Sequence, residues 1–138
     1  MELNLIDRSN YLKGLLILIR KNNVINKYAR KFVMNIATAL DFNKDFVDSS
    51  IKNLSINKNI IEGPLKFSDY RLAKSFVKDG LRLAFSDGNM NLSQIQWLII
   101  TAKENNLSEQ WFFIELEDFI ERCNLNSEMP CEIQKYVS

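Results

Sequence analysis

Leu83-Ala84-Phe85-Ser86-Asp87-Gly88-Asn89-Met90-Asn91 decides the fold. It reads as the end of one helix, a tight turn and the cap of the next. Gly88 supplies the positive φ that a helix end commonly needs. Asn91 offers a side-chain acceptor to the following turn of backbone, and Gln94 can reach back to complete a capping box. The surrounding segment also overlies an earlier one at a spacing of 65 residues without a gap. Ile25 meets Met90, Phe32 meets Trp97, Ala37 meets Ala102, Phe42 meets Leu107 and Phe46 meets Trp111. The breaks coincide as well: Asn22-Asn23 falls on Asp87-Gly88, Asn26 on Asn91 and Asn43 on Ser108. Mismatches exist, with Leu15 on Gly80, Ile17 on Arg82 and Leu40 on Asn105. A duplicated helical unit and a merely repetitive bundle both fit such a pattern, and the matching breaks favour duplication.

Working outward, hydrophobic spacing of three and four predicts helices throughout. The first starts near Asp7 or Ser9 and runs to about Lys21, with Tyr11, Leu12, Leu15, Leu16, Leu18 and Ile19 on a wide apolar stripe. The second is capped by Asn26 and turns Tyr28, Phe32, Val33, Ile36, Ala37 and Leu40 inward. Asn43 caps a third, with Phe46, Val47, Ile51 and Leu54 on its inner side. Ser68 caps a fourth that ends near Phe85, Asn91 a fifth, and Ser108 a sixth. The tail, with Pro130, reads as one further short helical turn. Residues 55–67 form a packed connection, because Ile56, Ile60, Ile61, Leu65 and Phe67 interrupt its polar and turn-forming residues. The expectation is an all-α, single-domain bundle of about six or seven helices, built from pseudo-repeats at about 8–54 and 68–124. Four Gly and two Pro in 138 residues leave too few turns for a multi-stranded sheet.

Composition excludes several kinds of chemistry. The chain has no histidine, which removes the commonest general base and metal ligand together with the usual catalytic triads. Its glycines are too scattered for a phosphate-cradling loop. Cys123 and Cys131 have neither zinc nor thioredoxin spacing. Cys123 reads as a small core residue, and a bridge to Cys131 would require an oxidising compartment. The apolar run Leu15–Ile19 is too short for an export signal or a span, so a cytoplasmic protein is expected.

Residues 72–111 resemble the TerB-like domains of tellurite-resistance proteins and of a membrane-anchored DnaJ-type co-chaperone. The likeness lies in Leu83–Asn91, which follows the family's Leu-Ala-x-Ala-Asp-Gly phrase, in Trp97-Leu98 through Ala102, and in Asn106-Leu107-Ser108, where members often read Gly-Leu-Ser. It implies a bundle of two pseudo-symmetric helical units over about 110 residues. It also implies a bacterial stress-response or envelope-associated setting. Acidic residues after the Asp-Gly of such domains have been linked to divalent metals. Ser93 and Gln94 stand there in this chain, leaving Asp87 as the single candidate ligand, too little oxygen donation for useful affinity. Asp87-x-Asn89-x-Asn91 also lacks the Gly and Glu of a calcium loop, with Leu92 and Leu98 in their places.

The chain is near neutral, at +1, but its charge is divided. Residues 1–82 carry 15 Lys+Arg against 8 Asp+Glu, and residues 83–138 carry 3 against 9. Lys27, Arg30 and Lys31, preceded by Arg20 and Lys21, form the best basic patch. It reads first as a solvated face; an acidic protein or an anionic membrane surface would also suit it, and the lack of any nucleic-acid motif argues against DNA and RNA. Glu115, Glu117, Asp118 and Glu121 crowd one helix and read first as a solvated face, with a basic partner as the alternative. Trp111-Phe112-Phe113-Ile114 cannot all face one core stripe. Trp111 and Phe113 are therefore candidates for contact with the linker, the tail, a partner or a second copy. The expected function is a non-enzymatic interaction or scaffold domain without a cofactor. The alternative is a metal- or ligand-sensing domain that uses the Asp87 turn.

Overall fold

Short polar side chains set every helix start in the computed structural model, which describes residues 3–22, 26–54, 62–86 and 91–123. Asn4 accepts from the Asp7 backbone N–H (2.7 Å) and opens α1, Leu5–Asn22. Asn26 accepts from Ala29 (2.7 Å) and opens α2, Lys27–Ala39. Asn43 takes Asp45 and Phe46 (2.8 and 3.2 Å) at the head of α3, Lys44–Lys52. Asp69 takes Arg71 (2.8 Å) for α4, Tyr70–Ala84. Asn91 takes Gln94 (3.1 Å) for α5, Leu92–Glu104, and the Ser108 hydroxyl takes Trp111 (3.1 Å) for α6, Glu109–Cys123. Each cap satisfies a backbone donor that the first helical turn leaves open. The protein is all-helical: there are six helices and no strand among the described residues.

Three local expectations are corrected. α1 begins at Leu5, ahead of Asp7, because Asn4 supplies the cap. Ser68 does not cap α4: its backbone N–H donates to Asp7 Oδ1 (3.0 Å) and its hydroxyl to Asp7 Oδ2, so the adjacent Asp69 takes the cap. Gln94 does not close a capping box. Its amide donates to the Leu18 carbonyl (2.7 Å) and ties α5 to α1.

The 65-residue spacing reaches the hydrogen bonds. The three helices of the second half begin 65 residues after those of the first, at 70, 92 and 109 against 5, 27 and 44. The turn after α2 bonds Asp41 N–H to Thr38 and Phe42 N–H to Ala37 (3.0 and 2.9 Å); the turn after α5 bonds Asn106 to Lys103 and Leu107 to Ala102 (3.0 and 2.9 Å). Both turns pass through the left-handed region, at φ 67° for Asp41 and 61° for Asn106, residue types that tolerate it. The caps also cross over. Asn26 reaches Ser86 beyond the end of α4 (3.4 Å), and Asn91 reaches Asn22 at the end of α1 (3.2 Å).

α1 and α4 run side by side at the centre and share one core with the other helices. They approach closely because Gly14 and Gly80 lack side chains. A Cβ on Gly14 would overlap the tip of the Phe76 ring, lying 2.6 Å from its Cε1, and one on Gly80 would lie 3.1 Å from Leu18 Cδ1 of α1 and 2.6 Å from Leu98 Cδ2 of α5. The Phe76 ring is hemmed in by Tyr11, Phe67 and Trp97, at centroid distances of 5.2, 5.3 and 5.9 Å. Tyr11, fully buried, donates its hydroxyl to Asp79 (2.6 Å) and meets the Ser75 hydroxyl (2.9 Å). α1 is buried almost all round from Gly14 to Ile19, since α2, α4 and α5 all pack on it.

The connection is packed over its described part, 62–67. Leu65 and Phe67 are buried. The Asn105 side chain accepts from Phe67 N–H (2.8 Å) and donates to the Leu65 carbonyl (2.7 Å). Trp97 Nε1 donates to the Glu62 carbonyl (3.1 Å). The Glu62 carboxylate receives Arg20 Nε (2.8 Å) and Lys21 Nζ (3.3 Å). Arg20's hydrogen bond, helped by Lys21, holds the Glu62 carboxyl below the usual carboxylate range against an opposing desolvation effect. Ile56, Ile60 and Ile61 lie outside the described residues, as does the tail turn expected near Pro130.

Gly14→Ala should cost about 1–3 kcal/mol in urea unfolding, because the confined Phe76 ring cannot retreat. Gly80→Ala should cost less, since a Leu98 methyl can swing away and alanine favours the helix by about 1 kcal/mol. Glu62→Gln should lower stability at neutral pH by up to about 1 kcal/mol, the half-exposed pair being screened. A carboxyl depressed by folding contributes above its unfolded pKa and loses that contribution as pH falls through the folded value. The stability difference between the parent chain and the Glu62→Gln variant should therefore shrink as pH falls through the lowered pKa of the folded Glu62 carboxyl, read as unfolding midpoints against pH.

Candidate functional site: the outer face of α5 and α6

The basic patch is smaller in space than in sequence. Arg20 and Lys21 are committed to Glu62, and Arg30 to Asp48, which also receives Lys52 (3.0 Å). Lys27 and Lys31 remain on the outer side of α2, exposed. Tyr28 and Phe46, expected to point inward, are 40% and 57% exposed at the edge of the core, stacked on Phe32 and Phe42. The aromatic run divides as its helical position requires. Phe112 is fully buried, while Phe113 and Ile114 are 49% and 58% exposed. Trp111 is half-buried, and the Lys74 ammonium sits between its ring and that of Tyr70, at 5.8 and 5.1 Å. It is thus a contact between α4 and α6. Asp87, the single metal candidate, lies outside the described residues, as do Cys131 and the Cys123 side chain. No group of three or more His, Cys, Asp or Glu able to hold a metal occurs among the described residues. No helix there is long and apolar enough to cross a membrane.

The best-defined surface lies elsewhere. α5 buries Ile95, Trp97, Leu98 and Ala102, and its other side carries Leu92 and Ile100, 64% and 52% exposed. On α6, Phe112 and Phe119 face inward, and Phe113 and Ile120 share an outer flank. α5 and α6 pack together, and an ion pair between Lys103 and Glu109 joins their outer surfaces across the turn. Glu117 and Glu121, a turn apart, border the α6 strip and are exposed.

The first half carries a built-in comparison. Leu92, Ile100 and Phe113 occupy the places that Lys27, Asn35 and Asp48 hold on α2 and α3. Glu109 and Glu117 occupy those of Lys44 and Lys52, with the charge reversed. The same helix starts and turn bonds thus form with polar and basic residues at these positions, and packing does not require the apolar ones. Helical spacing does not single out Leu92 and Ile100, because they fall outside the buried stripe of α5. The signal that finds them is the overlay of the two halves combined with exposure.

Ile100→Asn and Phe113→Asp, which restore the first-half residues, should each leave thermal stability within about 0.5 kcal/mol. Phe112→Ala, beside Phe113 but fully buried, should cost about 3–5 kcal/mol in the same assay. No protein-family model matches the chain, and neither a curated protein nor a solved structure does so.

Proposed function

We propose that the chain is a non-enzymatic protein-interaction module that docks a partner on the outer face of α5 and α6. The observation that carries this reading is the set of exposed apolar residues Leu92, Ile100 and Phe113, at positions where the equivalent helices carry Lys27, Asn35 and Asp48. Exposed apolar groups on packed neighbouring helices, beside a charged border, are what a docking surface offers. Isolated ones are ordinary, and the first half also exposes Leu5, Ile6, Tyr28 and Phe46, but at these three positions its helices carry polar residues. The lack of histidine supports a role without catalysis. The TerB-like resemblance supports a scaffold role in a bacterial stress-response or envelope-associated assembly, in the cytoplasm. Lys27 and Lys31 offer a second, weaker contact region of opposite charge.

Site-specific photo-crosslinking in the native host tests the reading. A photoreactive phenylalanine analogue at position 113 should give a discrete adduct of higher mass, and the same group at position 48 should give none. Equal labelling at both positions, or none at 113, would contradict it.

A further inference from the structure

We infer that the occupant of this face is a basic amphipathic helix of another protein; the inference rests on the docking reading above. Leu92 and Ile100 lie eight residues apart on the exposed side of α5, about 80° round the helix from each other, and Phe113 and Ile120 stand two turns apart on one flank of α6. Two apolar strips on packed neighbouring helices accept a third helix, whose apolar side chains recur at intervals of three, four and seven. The border selects the charge of that helix. Glu104, Glu117 and Glu121 are exposed and form no ion pair among the described residues. Lys103 and Arg122, the nearby cations, are engaged with Glu109 and Asp118. The surface therefore presents unmatched negative charge around an apolar centre, which lysine and arginine flanking an apolar stripe would complement.

Other occupants fit less well on the same grounds. A second copy docked face to face would bring two acidic borders together. A second copy docked through its basic side would bring Lys27, Asn35 and Asp48 where apolar contact is needed. Anionic lipid and nucleic acid both meet the acidic border as like charge.

The test uses fluorescent synthetic peptides of about 18 residues, long enough to form a helix on docking. One carries a leucine stripe at helical spacing with lysine elsewhere. A second replaces lysine by glutamate, and a third scrambles the first so that the stripe is lost. Anisotropy titration against the full chain at ~0.1 M salt should show the Lys/Leu helix binding about tenfold or more tighter than either control. Ile100→Asn combined with Phe113→Asp should weaken it by about tenfold or more, and Glu117→Lys combined with Glu121→Lys should reverse the preference toward the glutamate peptide. Equal binding of the lysine and glutamate peptides, or of the scrambled one, overturns the inference. So does a concentration-dependent dimer in sedimentation that Phe113→Asp abolishes, or binding to phosphatidylserine vesicles that it abolishes. If no peptide binds while crosslinking at position 113 still yields an adduct, the basic helix is rejected and the docking face stands. If crosslinking also fails, the docking reading falls with it.

Discussion

The close approach of α1 and α4 is the constraint on which the rest depends. It needs Gly14 where Phe76 presses in and Gly80 where Leu18 does, and it needs Tyr11 to reach Asp79 and Ser75. A buried carboxylate is costly without a donor, and Tyr11 provides one from the neighbouring helix. Apolar burial drives the two helices together, while this polar contact fixes how they sit, since sliding either helix by one residue would part the hydroxyl from the carboxylate. The remaining helices are then placed in turn. Trp97 of α5 closes on Phe76, Gln94 bonds the Leu18 carbonyl, and Asn105 clamps the connecting segment.

Around that centre the two halves repeat their caps, turns and left-handed residues at one fixed spacing while their outer surfaces diverge. The outer surfaces differ in two ways, with lysine on α2 and α3 and apolar and acidic residues on α5 and α6. A core contact tolerates little change because both partners are confined. A surface position is free to follow whatever it meets. The opposite charges of the halves are thus a property of their outer faces. In the first half much of that charge is matched internally, with Arg20 and Lys21 on Glu62 and Arg30 on Asp48.

The parts of the fold governed by neighbours in sequence are legible in it. Asn26, Asn43, Asn91 and Ser108 cap their helices as their positions predict, because an N-cap bonds backbone two or three residues away. Ser68 defeats the same reasoning because its partner, Asp7, is 61 residues distant, and Gln94 does so because Leu18 is 76 residues distant. Local patterns carry no trace of such bonds. Periodicity assigns Tyr28 and Phe46 to the core by residue type, but an aromatic ring at the margin of a stripe can lie on a neighbouring ring and stay half open. Of the candidate interaction residues, Phe113 is on the proposed face, Trp111 joins α6 to α4, and Arg30 is drawn into an ion pair. Leu92 and Ile100 escape a reading by stripe, since an apolar residue off the stripe is informative only beside its polar counterpart.

The close approach of α1 and α4 can be observed directly in solution by proton NMR. Cross-peaks should join the Gly14 α-protons to the Phe76 ring and the Leu18 methyls to the Gly80 α-protons. A spectrum of the folded chain in which Gly14 shows no contact with Phe76, and in which α1 meets α2 alone, would contradict the arrangement on which the fold and the docking face rest.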